Sequence, residues 1–462
     1  MEFVVGILLL LTFFGLAFYC IKGHNLMIGF LIITILWTAL SFLGAAFASP
    51  EFLSTTAFYS NGEPVKAIAI LNKIYQSAPE GWGTTLVNVC WGAWFGRVLM
   101  ETGIASTLIR KTVELGGDKP MVTIALLNIV TAIIFTAMTG AGPVIAIGVI
   151  VLPIMMSLGV PKAIAMFSFM ESVAAGIYLN PVNFAQYRAF FIDVDEMPNF
   201  TLGWYAGKWG YAALIISVVV TTILAGFFLK KSKTSHAWAA QTRGASEQKD
   251  APLYTLILPI VPVVLKIWLD FSVIGGFVIA GFAALFLCGK MNKSFKENCQ
   301  LVNKLYYDGV VDTAPLVGFL LTLPMFNTCA SYASPYFKEV LGGIMPTNEY
   351  VVCALFAALS ILGFFRGPLT LYGCGAATLG VLSAVGHFSV PFLFCVFTIP
   401  ATTVNVGSCI TQSWIAWGLA YTKVESRDYL KLSIPFAYIC SILLYILTAF
   451  TVTGLGPEWF LS

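Results

Sequence analysis

Thr139-Gly140-Ala141-Gly142-Pro143 and Phe365-Arg366-Gly367-Pro368 decide how this chain folds. Each interrupts an apolar run with glycine and proline, and the two prolines stand 225 residues apart. Thirty-seven residues after each proline comes an asparagine in a polar break: Leu179-Asn180-Pro181-Val182-Asn183 and Thr403-Val404-Asn405-Val406-Gly407-Ser408. Upstream, Gly83, Gly92 and Leu115-Gly116-Gly117 recur at an offset of 226 as Gly309, Gly318 and Leu341-Gly342-Gly343. Paired, Gly/Pro-interrupted hydrophobic segments at matching positions of two halves are the pattern expected of a secondary transporter.

Composition fixes the class around those motifs. Apolar residues make up 58% of the chain and charged residues 10%, against roughly 25% charged in soluble domains. Apolar runs long enough to span a bilayer recur along the length, so the expectation is an all-α polytopic membrane protein. Met1-Glu2 offers no positive n-region, and the first apolar stretch leads directly into a second, so no cleavable leader is expected. Six of the ten cysteines (Cys90, Cys353, Cys374, Cys395, Cys409 and Cys440) sit in apolar runs and no CxxC pair occurs, so they read as small buried hydrophobes. The three histidines, His24, His236 and His387, fall near predicted loops. A metal centre and a membrane enzyme are therefore disfavoured, since either needs a cluster of His, Asp or Glu or an activated nucleophile. No cofactor and no nucleic-acid partner are expected.

The apolar pattern predicts helices at 3–21, 26–48, 84–100, 121–138, 144–158, 162–192 with a break at 180–183, and 203–229. After a linker at 230–252, the second half gives 253–271, 273–289, 309–325, 347–364, 369–385, 389–422 with a break at 402–408, and 433–455. Segments 101–120 and 63–76 read as amphipathic interfacial helices. The linker (Lys230, Lys231, Lys233, Arg243 and Lys249 against Glu247 and Asp250) and loop 290–305, with four lysines, are basic and read as cytoplasmic. The counterpart of that loop, 49–82, carries Glu51, Glu63 and Glu80 against Lys66 and Lys73. Loop 423–431 carries Lys423, Arg427 and Lys431, whereas its counterpart 189–202 has Asp193, Asp195 and Glu196 and no base. Equivalent loops of opposite bias imply two inverted repeats, 1–229 and 253–462, with the N-terminus outside. Inversion needs an odd number of crossings per half. Five spanning helices plus a re-entrant hairpin, at 121–158 and 347–385, together with a broken helix, satisfy it; hairpin limbs that span fully would leave parity unchanged. A bacterial-type cytoplasmic membrane is the expected location.

The candidate site follows from where backbone and polar groups meet the membrane. Tips at 139–143 and 364–370 free amides and carbonyls at membrane depth, where only protein or a wet cavity can satisfy them. Freed amides at a helix start favour anions. The plainer alternative is a proline kink, which duplication argues against. Arg366 lies between long apolar stretches, where an arginine should face protein or a cavity, and its planar fork suits a carboxylate. Gly140, Gly142 and Gly367 of the tips, with Asn180, Asn183, Thr403 and Asn405 of the breaks, complete the candidate substrate-binding set. Interhelical polar packing is the alternative reading of the asparagines. Glu171, an acid within an apolar helix, suits a proton carrier; an ion pair with Lys162 is its alternative. Thr139, Thr402 and Ser408 join it as candidate ion-coupling groups. The i, i+4 pairs Arg97/Glu101 and Lys266/Asp270 read as local ion pairs, and Asp312 as a helix-start stabiliser.

Gly83-Thr84-Thr85-Leu86, then Gly92, Gly96 and Glu101-Thr102-Gly103-Ile104-Ala105, resemble the glycine-rich segment ahead of the first hairpin in gluconate- and citrate-type permeases. The repeat plan as a whole resembles the ion-transporter superfamily of secondary carriers. The Ser-Asn-Thr signature of its sodium–dicarboxylate branch is replaced by Thr139-Gly140-Ala141 and Phe365-Arg366-Gly367. The resemblance implies a symporter of a small organic anion such as gluconate or citrate, held between two hairpin tips and two broken helices. It further implies a homodimer moving by an elevator motion, with helices 26–48, 84–100 and their repeats as scaffold. The coupling ion expected is H⁺, with Na⁺ as the alternative. A cation/proton antiporter on the same fold and a Na⁺-coupled dicarboxylate carrier are the rival functions.

Overall fold

The structure is a computed structural model. It describes residues 2–459 apart from 23, 55, 61–62, 118, 192–196, 198, 233–249, 342–345, 374, 387 and 457–458. Lys233, Arg243, Glu247 and Lys249 of the linker lie outside the described residues, as do Asp193, Asp195, Glu196, His236, His387, Cys374, Gly342 and Gly343.

The chain is an all-α polytopic membrane protein. Beyond the helices, the described residues hold only a two-residue ladder, Tyr59 opposite Pro64. Among the described residues, Met27–Phe47, Leu202–Lys231, Val390–Thr422 and Ser426–Thr451 are long and apolar enough to cross a membrane. Two bent pairs, Lys162–Ile177 with Pro181–Arg188 (68°) and Glu349–Ala358 with Ser360–Arg366 (64°), bring the number to six. Local chemistry starts the helices where expected. Asn25, Ser272, Asn348 and Ser389 each accept a first-turn amide of the helix that follows, satisfying donors that have no intrahelical partner.

Two packing groups organise the helices. In the first, Phe295–Leu341 packs along Gly83–Glu101, Leu26–Phe47 and Glu2–Ile21. In the second, Lys162–Ile177 is the hub, against Pro120–Phe135, Tyr211–Lys231, the segment Pro400–Ser408 and Ser426–Thr451. Every residue from Ile164 to Ile177 is buried, as is every residue of Val390–Ile399 and Pro400–Ser408. A helix apolar and buried all round belongs at the centre of its assembly. Aromatic rings join the two broken helices. Phe394 meets Phe184, Tyr187, Phe191, Phe200 and Tyr205 at centroid distances of 5.0–6.5 Å, a range where ring pairs add to simple burial.

The first hairpin has limbs Pro120–Phe135 and Ala141–Ser157, and the first broken helix starts again at Pro181, close to the segments its sequence predicts. The second half departs from its expected plan in four places, the first being residues 253–271, which form a 3₁₀ turn, Leu253–Ile257, and a separate helix, Val261–Leu269. Residues 309–325 are part of one helix, Phe295–Leu341, 47 residues long, which runs through Pro315, Pro324 and Pro335. The second hairpin has limbs Glu349–Ala358 and Gly375–Val385, with a 3₁₀ turn, Ser360–Arg366, at its tip, so its irregular part is longer than residues 364–370. Residues 400–408 are a π-helix rather than a break, and the chain leaves helical winding at 409–412 before Ser413–Thr422. In the first half, 63–76 opens with the strand Glu63–Pro64 and becomes helical at Ala67. Segment 101–120 does contain a helix, Ile104–Gly116.

Candidate functional site

The first tip is closed by the chain's own carboxylate. Gly140 has φ +96°, a conformation L side chains rarely adopt. Gly142 lies so close to the Asp312 carboxylate that a Cβ would collide with Oδ2. Asp312 is in turn held by a two-pronged bond from Arg97, Nε to Oδ2 and Nη2 to Oδ1, both 2.6 Å. This corrects two readings of the sequence. Arg97 does not pair with Glu101, which bonds Lys290 at 3.5 Å, and Asp312 lies inside a long helix instead of at its start. A carboxylate thus sits at the start of Ala141–Ser157, where the helix dipole favours an anion, and a planar fork grips it from the other side. Lys266 and Asp270 do pair, at 2.6 Å, as their spacing predicts.

The first break is closed as well. Asn180 caps Pro181–Arg188, accepting from Val182 N (2.9 Å) and Asn183 N (3.2 Å). Its amide nitrogen donates to Phe135 O and Met138 O, both 3.0 Å, at the end of the first hairpin limb. The residue is fully buried, and its oxygen and both amide hydrogens are used, so it ties hairpin to broken helix.

The second half is arranged differently. Its tip places Phe365 (φ +55°) and Arg366 (φ +61°) in the left-handed region, which costs a non-glycine residue of order 1–3 kcal/mol. Arg366 Nη1 donates to Tyr372 O at 3.3 Å, and Nη2 to Gln412 Oε1 at 3.1 Å; both acceptors are neutral. The Gly367 amide donates to Phe364 O within the tip, at 3.0 Å. The Tyr372 hydroxyl donates to Gln186 Oε1 at 2.8 Å, so the tip meets the helix Pro181–Arg188. Around this meeting, Asn183 Oδ1, Gln186 Nε2 and Thr370 Oγ1 are buried with no partner among the described residues. Asn405, fully buried on the π-helix, leaves both Oδ1 and Nδ2 without one. Buried polar atoms are nearly always paired, so Asn183 and Asn405 stand apart from Asn180 among the candidate residues.

Ion-coupling candidates separate into two places. Glu171 is fully buried, and its Oε1 accepts from Ser408 Oγ at 2.7 Å, with Oε2 left unpartnered. Gly407 lies against Oε2 with no room for a Cβ, and the Tyr429 hydroxyl donates to Gly407 O. Among the described residues no cation pairs with Glu171, Lys162 included. Thr402 and Thr403 bond the hydroxyls of Tyr187 (2.9 Å) and Tyr178 (2.5 Å), while Thr139 stays buried in the first tip beside Gly140.

Sequence reasoning passed over Tyr372, Thr370, Tyr178 and Tyr187. Their one signal is a hydroxyl set among apolar residues, shared with many core tyrosines. Cys329, Cys353, Cys395, Cys409 and Cys440 are buried free thiols, and Cys90 is a half-buried one. Cys409 also accepts the Phe365 amide at 3.1 Å, bracing the strained tip.

Residues 84–295, from the helix Gly83–Glu101 through the first hairpin and first broken helix into the second half, match the family model of the DcuC C4-dicarboxylate anaerobic carriers. No curated protein matches the chain. Among solved structures, the YdaH transporter of Alcanivorax borkumensis, described as having an unusual topology, superposes with a TM-score of 0.57 at 14% identity. That match covers 92% of this chain and 98% of the other. At this identity the likeness establishes a shared fold, and both likenesses are to membrane carriers.

Proposed function

We propose that this protein is a secondary carrier that moves a small organic anion across the membrane by symport with a cation. The observation that carries the reading is the meeting of Arg366 and Tyr372 with Asn183 and Gln186, where buried hydrogen-bonding atoms stand open beside a guanidinium. A carboxylate on the Arg366 fork would accept from Gln186 Nε2 and Thr370 Oγ1, which leaves Asn183 Oδ1, an acceptor, for a donor such as a hydroxyl or a water. The match over residues 84–295 favours a C4-dicarboxylate over gluconate or citrate as the anion. Asn180, Gly140 and Gly142 act as positioning groups, holding the first tip and break in place. Asn405, Thr403 and Gly367 line the second half of the path. No enzymatic chemistry is assigned to the chain.

Coupling to H⁺ is supported by Glu171, a buried acid hydrogen-bonded to Ser408 on the second broken helix. A proton on its carboxyl changes what that helix packs against, linking ion binding to the substrate-bearing half. Thr402 and Thr139 are the hydroxyls nearest in role if Na⁺ takes the place of H⁺. The two packing groups support an elevator motion in which the helices around Lys162–Ile177 slide past Phe295–Leu341 and its neighbours. Inverted repeats, a homodimer and a bacterial cytoplasmic membrane with the N-terminus outside complete the proposal.

Uptake of labelled succinate, citrate, gluconate and lactate into proteoliposomes, under separately imposed pH and sodium gradients, tests it. Accumulation of one acid under an inward proton gradient, with Glu171→Gln insensitive to that gradient, is the expected result. Vesicle pH changes on adding Na⁺ or K⁺, with no acid taken up, would overturn it in favour of the antiporter.

A further inference from the structure

A slot of ≈ 200 Å³ opens beside the helix Val261–Leu269. One wall is Ile260, Val263, Val264 and Ile267, which share a face at helical spacing. Facing them are Ile133 and Thr136 at the end of the first hairpin limb, Leu179 just before the first break, and Leu214 of Tyr211–Lys231. Val261–Leu269 packs on Val273–Leu287, itself packed along Gly83–Glu101, whereas the facing wall belongs to the group around Lys162–Ile177. The slot thus lies on the seam between the two packing groups.

Its direction and its lining both suit hydrocarbon. Gly203 lies against Ile267 O with no room for a Cβ, which sets Leu202–Tyr205 level with the end of Val261–Leu269. Tyr211 and Leu214 lie roughly 12–16 Å further along their helix at 1.5 Å per residue, so the slot runs lengthwise down a membrane-spanning helix. Thr136 spends its hydroxyl on Ile133 O at 2.7 Å, so it offers a guest no open donor. The slot opens to the bilayer. Tyr211 heads an exposed stripe, followed at four-residue intervals by Ile215, Val219, Ile223 and Phe227. Trp268, 75% exposed, stands at the other end, beside the Lys266–Asp270 pair, the setting of an interfacial aromatic anchor. Apolar cavities of about 150 Å³ stay dry and take hydrocarbon guests. Leu179 and Val263 line the slot but are each only 5% exposed, too deep for lipids that merely coat the surface.

We propose that this slot holds one acyl chain of a membrane phospholipid, wedged between Val261–Leu269 and the joint that Asn180 makes. The chain gains dispersion contacts that an empty slot forfeits. It touches both partners of the joint: Ile133 and Thr136 beside the carbonyls of Phe135 and Met138 that Asn180 binds, and Leu179 next to Asn180 itself. The site does not rest on the carrier function.

Photolabelling tests it without any uptake. The full chain is reconstituted in vesicles of phosphatidylcholine carrying a diazirine midway along one acyl chain, irradiated, and mapped by peptide mass spectrometry. The expected result is adducts at Leu179 or Val263 as well as at Ile223, which faces the bilayer at 63% exposure. Adducts at Ile223 with none at Leu179 or Val263 overturn the site. Leu214→Trp, and separately Val264→Trp, fill the slot from opposite walls. Each should abolish the adducts at Leu179 and Val263 while Ile223 labels as before; deep adducts that persist in both variants overturn the slot as the lipid's seat. If a filled variant fails to fold, the wild-type labelling decides by itself. Ile267→p-benzoylphenylalanine should cross-link to lipid, whereas a cross-link between two protomers would assign the slot to a second copy of the chain and overturn the lipid. Deep labelling in a protein that takes up no acid would leave this site standing while the carrier reading fell.

Discussion

The two hairpin tips share a plan and differ in how completely the chain satisfies them. At the first, Gly142 rests on the Asp312 carboxylate and Asn180 makes four hydrogen bonds. At the second, Phe365 and Arg366 hold left-handed conformations, and Asn405, which stands where Asn180 stands by spacing, leaves its amide without a partner. Repetition in the sequence locates corresponding positions; it does not make them chemically equal. The first half behaves as a finished structural joint. The second keeps strain and open hydrogen-bonding capacity, which are retained where function needs them.

Replacing the two asparagines would break this contrast most directly. Asn180→Ala removes a helix cap and strands two buried carbonyls, and should cost roughly 2–4 kcal/mol. Thermal unfolding in detergent would show it as a clear drop in midpoint; an unchanged midpoint would mean the first joint is not structural. Arg366→Ala should lower carboxylate uptake about 10- to 100-fold, corresponding to the loss of about 1.5–3 kcal/mol of charge-assisted bonding, with little change in unfolding. Asp312→Asn should weaken the lock on the first tip by ~1–2 kcal/mol, discounted for the partial exposure of the pair. Arg97→Gln should match it, and the double variant should cost less than the sum, as a double-mutant cycle would reveal. Smallest in stability, Asn405→Leu should change unfolding by less than about 1 kcal/mol in either direction, because it removes polar atoms that have no partner, yet it should impair uptake. A large destabilisation by Asn405→Leu would erase the distinction between the halves.

Much of this plan was legible in the chain. Glycine and proline leave a plain trace, so the first hairpin, the first break and the bend before Arg366 all fall near their expected positions. The second break was misplaced because Thr402-Thr403-Val404-Asn405 reads as broken helix, whereas wider winding keeps those residues helical and moves the interruption to 409–412. The expected helix 309–325 is extended in both directions, back to Phe295 and on through Pro335 to Leu341, since neighbouring helices pack along it and hold it together. Arg97 was assigned to Glu101 because local spacing is visible in one dimension; its true partner is 215 residues away. The open cluster at Asn183, Gln186 and Thr370 was legible only in part. An unpaired atom is a property of the packed interior and has no sequence signature.

The π-helix Pro400–Ser408 carries a further consequence, one of counting. In an α-helix each residue turns the chain by about 100°, and a π-turn holds one more residue than an α-turn, as if one had been slipped in. Everything beyond such a turn is rotated in phase. Ser408 and Gly407 stand at its far end, directed at Glu171. Which face meets the carboxyl is therefore set by the number of residues that precede it, as a tooth count sets the timing of a gear. Deleting one residue, such as Val404, would retain the partners' chemistry while turning Ser408 away from the acid.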